Sequence, residues 1–438
     1  MSRLLPIRPD LEHLRNEAKA LHKAHARGDA SACGILRRLK RFSGATDAQV
    51  LSSPVTLTEA QFALALDYGF KGWDELRRTV LRTRPVEGAN APASPRALRL
   101  SDPPAGGDGN RLARAYQMSF SCCGVACDYD TVAGDSGLAF ILQADSAHRP
   151  YGADVTELDL GWWPLDEWGA MLRLDFLGSV YGVQMHRLPL AMDEYRADAA
   201  KAFESYHRGA IVECLQAERP VVCVTSGCDI WVITGMDDGS PPLLGQLSCD
   251  STSQVKRVGQ YPWWVVAMGD VREPMDRVRA DAEAVAFAVD LHHERFSRNI
   301  PGCAPEYAAV KSSGTASFTL WARVLRDGER CGPSHYSANI VGCTRRNRRS
   351  APPYLRQMAA RHTRSVAARL GTAADIYDEV LAKLGTADTS KEAFSTAAGR
   401  LKLADVVDEL AALEAKAVGE LEQALQAIGA SEQPEKRK

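Results

Sequence analysis

The chain has 438 residues, a length that sets an expectation of about three domains. Hydrophobic residues make up 45% and charged residues 25%, which excludes a mainly disordered or collagen-like chain. With 53 Lys and Arg against 55 Asp and Glu, the formal net charge is -2. A balance this even gives no global steer toward nucleic acid or anionic membrane, so any such binding has to come from a local patch.

No stretch approaches the roughly 18 apolar residues of a membrane span. The opening residues MSRLLPIRPDLEHLR hold no apolar run long enough for a signal peptide. Eleven cysteines without an export signal are expected to be reduced thiols of a cytoplasmic protein.

Residues 1–83 read as a helical module. Asp10 is placed to cap a helix with Leu11, Leu14, Ala18 and Leu21 on one face, and Gly28 follows its end. Asp29 opens a second helix with Ala32, Ile35, Leu36 and Leu39. Thr58 and Gln61 form a T-x-x-Q capping box for a third. The pairs Leu14-Arg15, Ala18-Lys19, Gly28-Asp29, Ala60-Gln61 and the run Tyr68-Gly69-Phe70, with Leu21, His25 and Trp73, resemble a small bacterial module found beside ankyrin-type repeats. That resemblance implies an accessory helical domain, with a protein as its partner. Residues 84–109 alternate Pro and Gly and are expected to be an exposed linker without a regular ladder.

From Asn110 to residue 335 the pattern is mixed. A helix is expected over Asn110–Cys123, ended by Gly124. Val221–Val224 and Ile230–Thr234 read as a hairpin, Tyr261–Met268 as a buried strand, and Val271–Leu291 and Ser313–Leu325 as helices. Residues 336–430 read as a helical tail. Its apolar positions include Leu355, Met358, Tyr377, Val380, Leu384, Leu410, Leu413, Ala417 and Leu421.

Tyr116 to Phe140 carries a helix, Gly124, Tyr129 and the run Gly134-Asp135-Ser136-Gly137-Leu138-Ala139-Phe140. Pro220-Val221, Trp231 to Asp237, Gly314, Ala316, Trp321 and Arg345 to Leu355 follow in order. Together these resemble a papain-like superfamily related to the butirosin-pathway acyltransferase and the double-glycine leader peptidases. The resemblance implies an α+β chain: a papain-like central domain between the helical module and the tail. In that fold a cysteine at the start of the central helix is activated by the helix terminus, and a histidine on a neighbouring strand is its base. Here the helix start is Asn110-Arg111, and the strand position aligns with Asp229.

Two classes stay open on these residues. One is a catalytically silent relative that binds a small molecule or peptide in the old cleft through Asn110, Arg111, Asp229, Trp231 and Asp237. There Arg111 and Asp229 would form a partly buried pair whose loss destabilises the fold. The other is a cysteine-dependent hydrolase or acyltransferase working through Cys122 or Cys123, with His335 as base. The cysteine and histidine spacings are irregular and imply no metal, and no cofactor fingerprint is present. The run Thr344-Arg345-Arg346-Asn347-Arg348-Arg349 reads as a solvated basic lead-in, and membrane or nucleic-acid partners are not expected.

Overall fold

The computed structural model describes residues 11–68, 70, 72–74, 76–77, 98–100, 103–145, 173–188, 192–225, 229–293, 311–327 and 334–431. Residues 84–97 and 101–102 of the expected linker and the terminal EQPEKRK lie outside them. The chain divides into two compact units: residues 1–94 with 189–209, and residues 95–188 with 210–438.

The first unit contains α1 (Leu11–Ala26), α2 (Cys33–Leu36), α3 (Asp47–Ser52) and α4 (Leu57–Asp67). Leu11, Leu14, Ala18 and Leu21 are buried, as their spacing requires. Two short pieces replace the second expected helix: a 3₁₀ turn at Ala30–Ala32 and then α2. The capping boxes are Thr46 with Gln49 and Thr56 with Glu59, so the box expected at Thr58 and Gln61 falls two residues too late. Glu59 wins because its carboxylate accepts both the Thr56 N–H (2.9 Å) and hydroxyl (3.0 Å) while pairing with Arg41.

The second unit follows with β1 (Leu98–Arg99), α5 (Arg111–Cys122), α6 (Tyr129–Asp135), β2 (Gln143–Asp145), α7 (Leu174–Tyr181) and β3 (Val183–Arg187). Helices α8 (Met192–Ala197) and α9 (Ala199–Tyr206) return to the first unit, and α10 (Arg208–Gln216) leads out of it. The strands β4 (Val221–Thr225), β5 (Ile230–Met236), β6 (Leu243–Leu247), β7 (Lys256–Arg257) and β8 (Pro262–Val271) complete one antiparallel sheet in the order β3-β8-β4-β5-β6-β7. β1 pairs with Gly235 and Met236, beyond Ile233 where the β4 pairing ends. Part of the expected linker is therefore a ladder strand. Every residue of β4 is buried, as befits a strand with neighbours on both edges and cover on both faces. The expected hairpin has the register Val222 to Val232 and Cys223 to Trp231.

Helix α11 (Arg277–His292), strand β9 (Lys311–Ser313), which pairs with β2, and helices α12 (Thr315–Arg326), α13 (Ser334–Arg348), α14 (Ala351–Ala359), α15 (Arg364–Thr386), α16 (Lys391–Ser395) and α17 (Ala397–Ser431) complete the described part of the unit. α11 begins at its Asp276 cap instead of at Val271, which closes β8. Pro274 lacks an N–H and disfavours helical backbone before it, so the expected earlier start is blocked.

Two buried carboxylates join these elements. Asp135, at the end of α6, is fully buried. Its Oδ2 accepts the Tyr181 hydroxyl (2.8 Å) and Arg277 Nη1 (2.8 Å), and its Oδ1 accepts the Tyr354 hydroxyl (2.8 Å) and Arg277 Nη2 (2.7 Å). Burial, with the Asp135 charge beside them, raises both tyrosines well above their ordinary range, so they stay donors. Gly134 leaves the space that the Tyr354 ring fills; a Cβ there would collide with it. Arg277 Nε also reaches Asp281, 3.2 Å away, which takes Arg361 Nε and Nη2 at 3.0 and 2.8 Å.

The second carboxylate is Glu414 on α17. It receives Arg348 Nε, and Arg348 Nη1 donates to the carbonyls of Ala139 (3.1 Å) and Ile141 (3.0 Å). Arg348 is fully buried and Asn347 nearly so, so the expected solvated basic run is a helix with one face in the core.

Removing Asp135 leaves the buried Tyr181 and Tyr354 hydroxyls and two Arg277 N–H groups without their acceptor, and Arg277 keeps only Asp281. Asp135→Ala is expected to lower unfolding free energy by about 3–5 kcal/mol. Tyr354→Phe, which leaves the arginine paired, is expected to cost about 1.5–3 kcal/mol. Urea unfolding of both variants checks the order.

Candidate functional site

Helix α5 starts where two segments meet. The backbone of Gly106 donates to the Asp250 carbonyl (2.9 Å) and that of Gly107 to the Ser248 carbonyl (3.2 Å), just past the end of β6. A Cβ on Gly106 would strike both carbonyls, so only glycine allows this approach. Asn110 then caps α5. Its Oδ1 accepts the N–H groups of Leu112 (3.0 Å) and Ala113 (3.2 Å), and its Nδ2 donates to Asn347 Oδ1 (3.2 Å). Its own N–H donates to the Tyr129 hydroxyl at 2.6 Å. Two of the N–H groups that a helix start offers an anion are thus taken by the protein's own side chain.

Next to this cap, Arg111 Nη1 lies 3.5 Å from Asp229 Oδ1, one residue before β5. Their side chains are 36% and 43% exposed. The pair is more open than the expected partly buried one, and exposed pairs contribute only about 0–1 kcal/mol. Trp231, two residues along the same strand face, is half-buried, and its Nε1 is buried without a hydrogen-bond partner among the described residues. Asn110, Arg111, Asp229 and Trp231 therefore share one end of β5.

Asp237 does not join them. It follows the far end of β5, about 25 Å away at the rise of an extended strand. There it is clamped by the Arg257 guanidinium and accepts the Gly239 N–H (2.8 Å). This is hairpin-turn chemistry, and it corrects the grouping of Asp237 with the helix start.

Cys122 ends α5 and Cys123 caps it, opposite the activating helix terminus. Burial pushes the Cys122 thiol up to about 12, with Cys123 adding to the effect, and pushes Cys123 up to about 11. Neither thiol makes a hydrogen bond among the described residues. His335 is the second residue of α13, and only its backbone is described. Cys228 lies outside the described residues; eight cysteines within them are free thiols.

One hydroxyl–imidazole contact escaped the sequence patterns. Thr315 Oγ1, at the start of α12, lies 2.7 Å from His292 Nε2 at the end of α11. Burial lowers the His292 pKa to about 4, with His293 and Arg348 adding to the effect against Glu422. The nearby carboxylate, Glu422, contacts His293 at 2.9 Å instead, so among the described residues His292 is a weak base without an orienting acid. Gly314 sits against the His292 backbone, and the contact is a junction between two helices. The only signals for it in the sequence were Gly314 and the His292-His293 pair.

No family model matches the chain, and no curated protein matches it either. Among the described residues, no group of three or more His, Cys, Asp and Glu is placed to hold a metal ion, and no helix is long and apolar enough to cross a membrane.

Two outcomes follow. Asp229→Ala is expected to change unfolding free energy by no more than about 0.5 kcal/mol, measured by urea titration. His292 has a folded pKa of about 4 against an ordinary 6.5, so on acidification the unfolded chain takes this proton first. Its stabilisation, complete above the ordinary value, is lost as the pH falls toward 4. Melting temperatures from pH 7 to 4 should fall less steeply for His292→Gln than for the unmodified protein.

Proposed function

We propose that the second unit is a papain-like domain without the thiol–imidazole pair, acting as a catalytically silent binder of a small molecule or peptide. Asn110, Arg111, Asp229 and Trp231 form the mouth of the former cleft. The observation that carries this reading is the use of the helix start. Where the resembled fold places a thiol, Asn110 spends its side chain on the helix cap and on Asn347. Asp229, at the strand position of the base, faces Arg111. A carboxylate cannot deprotonate a thiol that is absent, but a half-exposed Arg–Asp pair suits a polar ligand carrying both a donor and an acceptor. Cys122 and Cys123, half-buried with their thiol pKa values raised, support the same reading, since a thiolate is the nucleophile.

The test uses the full chain. Dipeptides and short-chain carboxylates are screened by thermal shift, and Arg111→Ala with Asp229→Ala is expected to abolish any shift they produce. Native iodoacetamide labelling at pH 7.5 is expected to leave Cys122 and Cys123 largely unmodified, with no hydrolysis of acyl thioesters. Rapid alkylation of Cys122 or Cys123, together with a thioesterase activity lost on Cys122→Ser or Cys123→Ser, would replace this reading with a cysteine-dependent hydrolase.

A further inference from the structure

The near-neutral total conceals a division. Residues 1–83 carry 14 Lys and Arg against 9 Asp and Glu, while the rest of the chain carries 39 against 46. An asymmetry of this kind points to a polyanionic partner for the basic part.

The structure gathers part of that excess on one helix. Arg15, Lys19, Lys23 and Arg27 recur every four residues along α1, and all four are exposed. Arg27 follows the last assigned residue, but its N–H still donates to the Lys23 carbonyl, so the helical register continues through it. Four residues advance about 6 Å, and the four cations form a ridge about 18 Å long. The opposite face, with Leu14, Ala18, Leu21 and His25, is buried in the module. The ridge is thus held on a packed helix.

The ridge cations differ from their neighbours. Arg37 pairs with Asp47, Arg38 with Asp67, Arg41 with Glu59 and Arg77 with Asp74. Arg15, Lys19, Lys23 and Arg27 have no acidic partner among the described residues. Beside them lies a shallow concavity of about 340 Å³, where Asn16, Ala20 and Ala24 alternate with the cations and Asp29 closes one end. The two alanines leave room for a partner to come close to the helix backbone.

We propose that this ridge binds the phosphodiester backbone of duplex nucleic acid, without reading its sequence. A protein partner would require an apolar centre with aromatic or aliphatic anchors. The ridge offers none; the exposed Leu57 and Phe62 of the module belong to α4. Binding of single strands by stacking would require aromatic platforms, which the ridge also lacks. What remains is a row of cations and one amide, the equipment of phosphate contact. The proposal is independent of the cleft in the second unit.

The test is fluorescence anisotropy of the full-length protein with a labelled 30-base-pair duplex of mixed sequence, from 50 to 200 mM KCl. Four phosphate contacts give a slope of log K against log salt of about -3.6, roughly a 150-fold loss of affinity over that range. Lys19→Glu with Lys23→Glu is expected to weaken binding at least tenfold at 50 mM and to bring the slope to about -1.8. Both positions are exposed, so the melting temperature should not move. Lys402→Glu, an exposed lysine of α17, is expected to bind as the unmodified protein does. No binding at 50 mM, equal binding by the double variant, or equal weakening by Lys402→Glu would overturn the proposal. So would tighter binding to polyglutamate or to anionic phosphatidylglycerol vesicles than to the duplex.

Discussion

The carboxylate of Asp135 is the constraint around which the second unit is arranged. A fully buried charge is tolerated only when its lone pairs are filled, and here four donors from three other elements fill them. Tyr181 comes from α7, Arg277 from α11 and Tyr354 from α14. Each donor is positioned by packing: Tyr181 stacks on Phe120 at 4.4 Å, and Tyr354 sits where Gly134 has no side chain. Arg277 carries the network on to Asp281 and so to Arg361. Chain segments more than 200 residues apart are held in one register by directional bonds that an apolar core would not specify.

Much of the local structure was legible because apolar periodicity reports it directly. The buried face of α1, the bounds of α5 and the β4–β5 hairpin all follow from spacing and turn residues. Charged core positions were not legible. Arg348 stands in a run of four arginines, and such runs usually mark a solvated face. Its burial depends on Glu414, 66 residues later, and on carbonyls more than 200 residues earlier. On α17 the apolar stripe pointed to Leu413, but Glu414 is the buried neighbour, because the counter-charge of Arg348 has to lie there. Asp135 was visible only as one letter of the Gly134-to-Phe140 run.

The same difference separates the parts of the candidate site. Asn110, Arg111 and Asp229 meet because a helix start packs beside a strand start. Asp237 belongs with the others in sequence, eight residues after Asp229, but β5 carries it past the far end of the strand. Trp231 stays near Asp229 because alternate residues of a strand share a face. The cation row of α1 went unseen for another reason. A whole-chain sum cancels opposite charges, whereas a partner meets only the charges on one face.

The Arg348–Glu414 contact has a consequence for the birth of the protein. Until α17 has been synthesised, Arg348 has no counter-charge, although its carbonyl partners at Ala139 and Ile141 have long been made. A nascent chain lacking α17 would have to bury a bare guanidinium or leave that part of the unit open. Completion of the second unit is therefore tied to the synthesis of α17, and premature termination anywhere before Glu414 leaves an incomplete fold open to quality-control proteolysis.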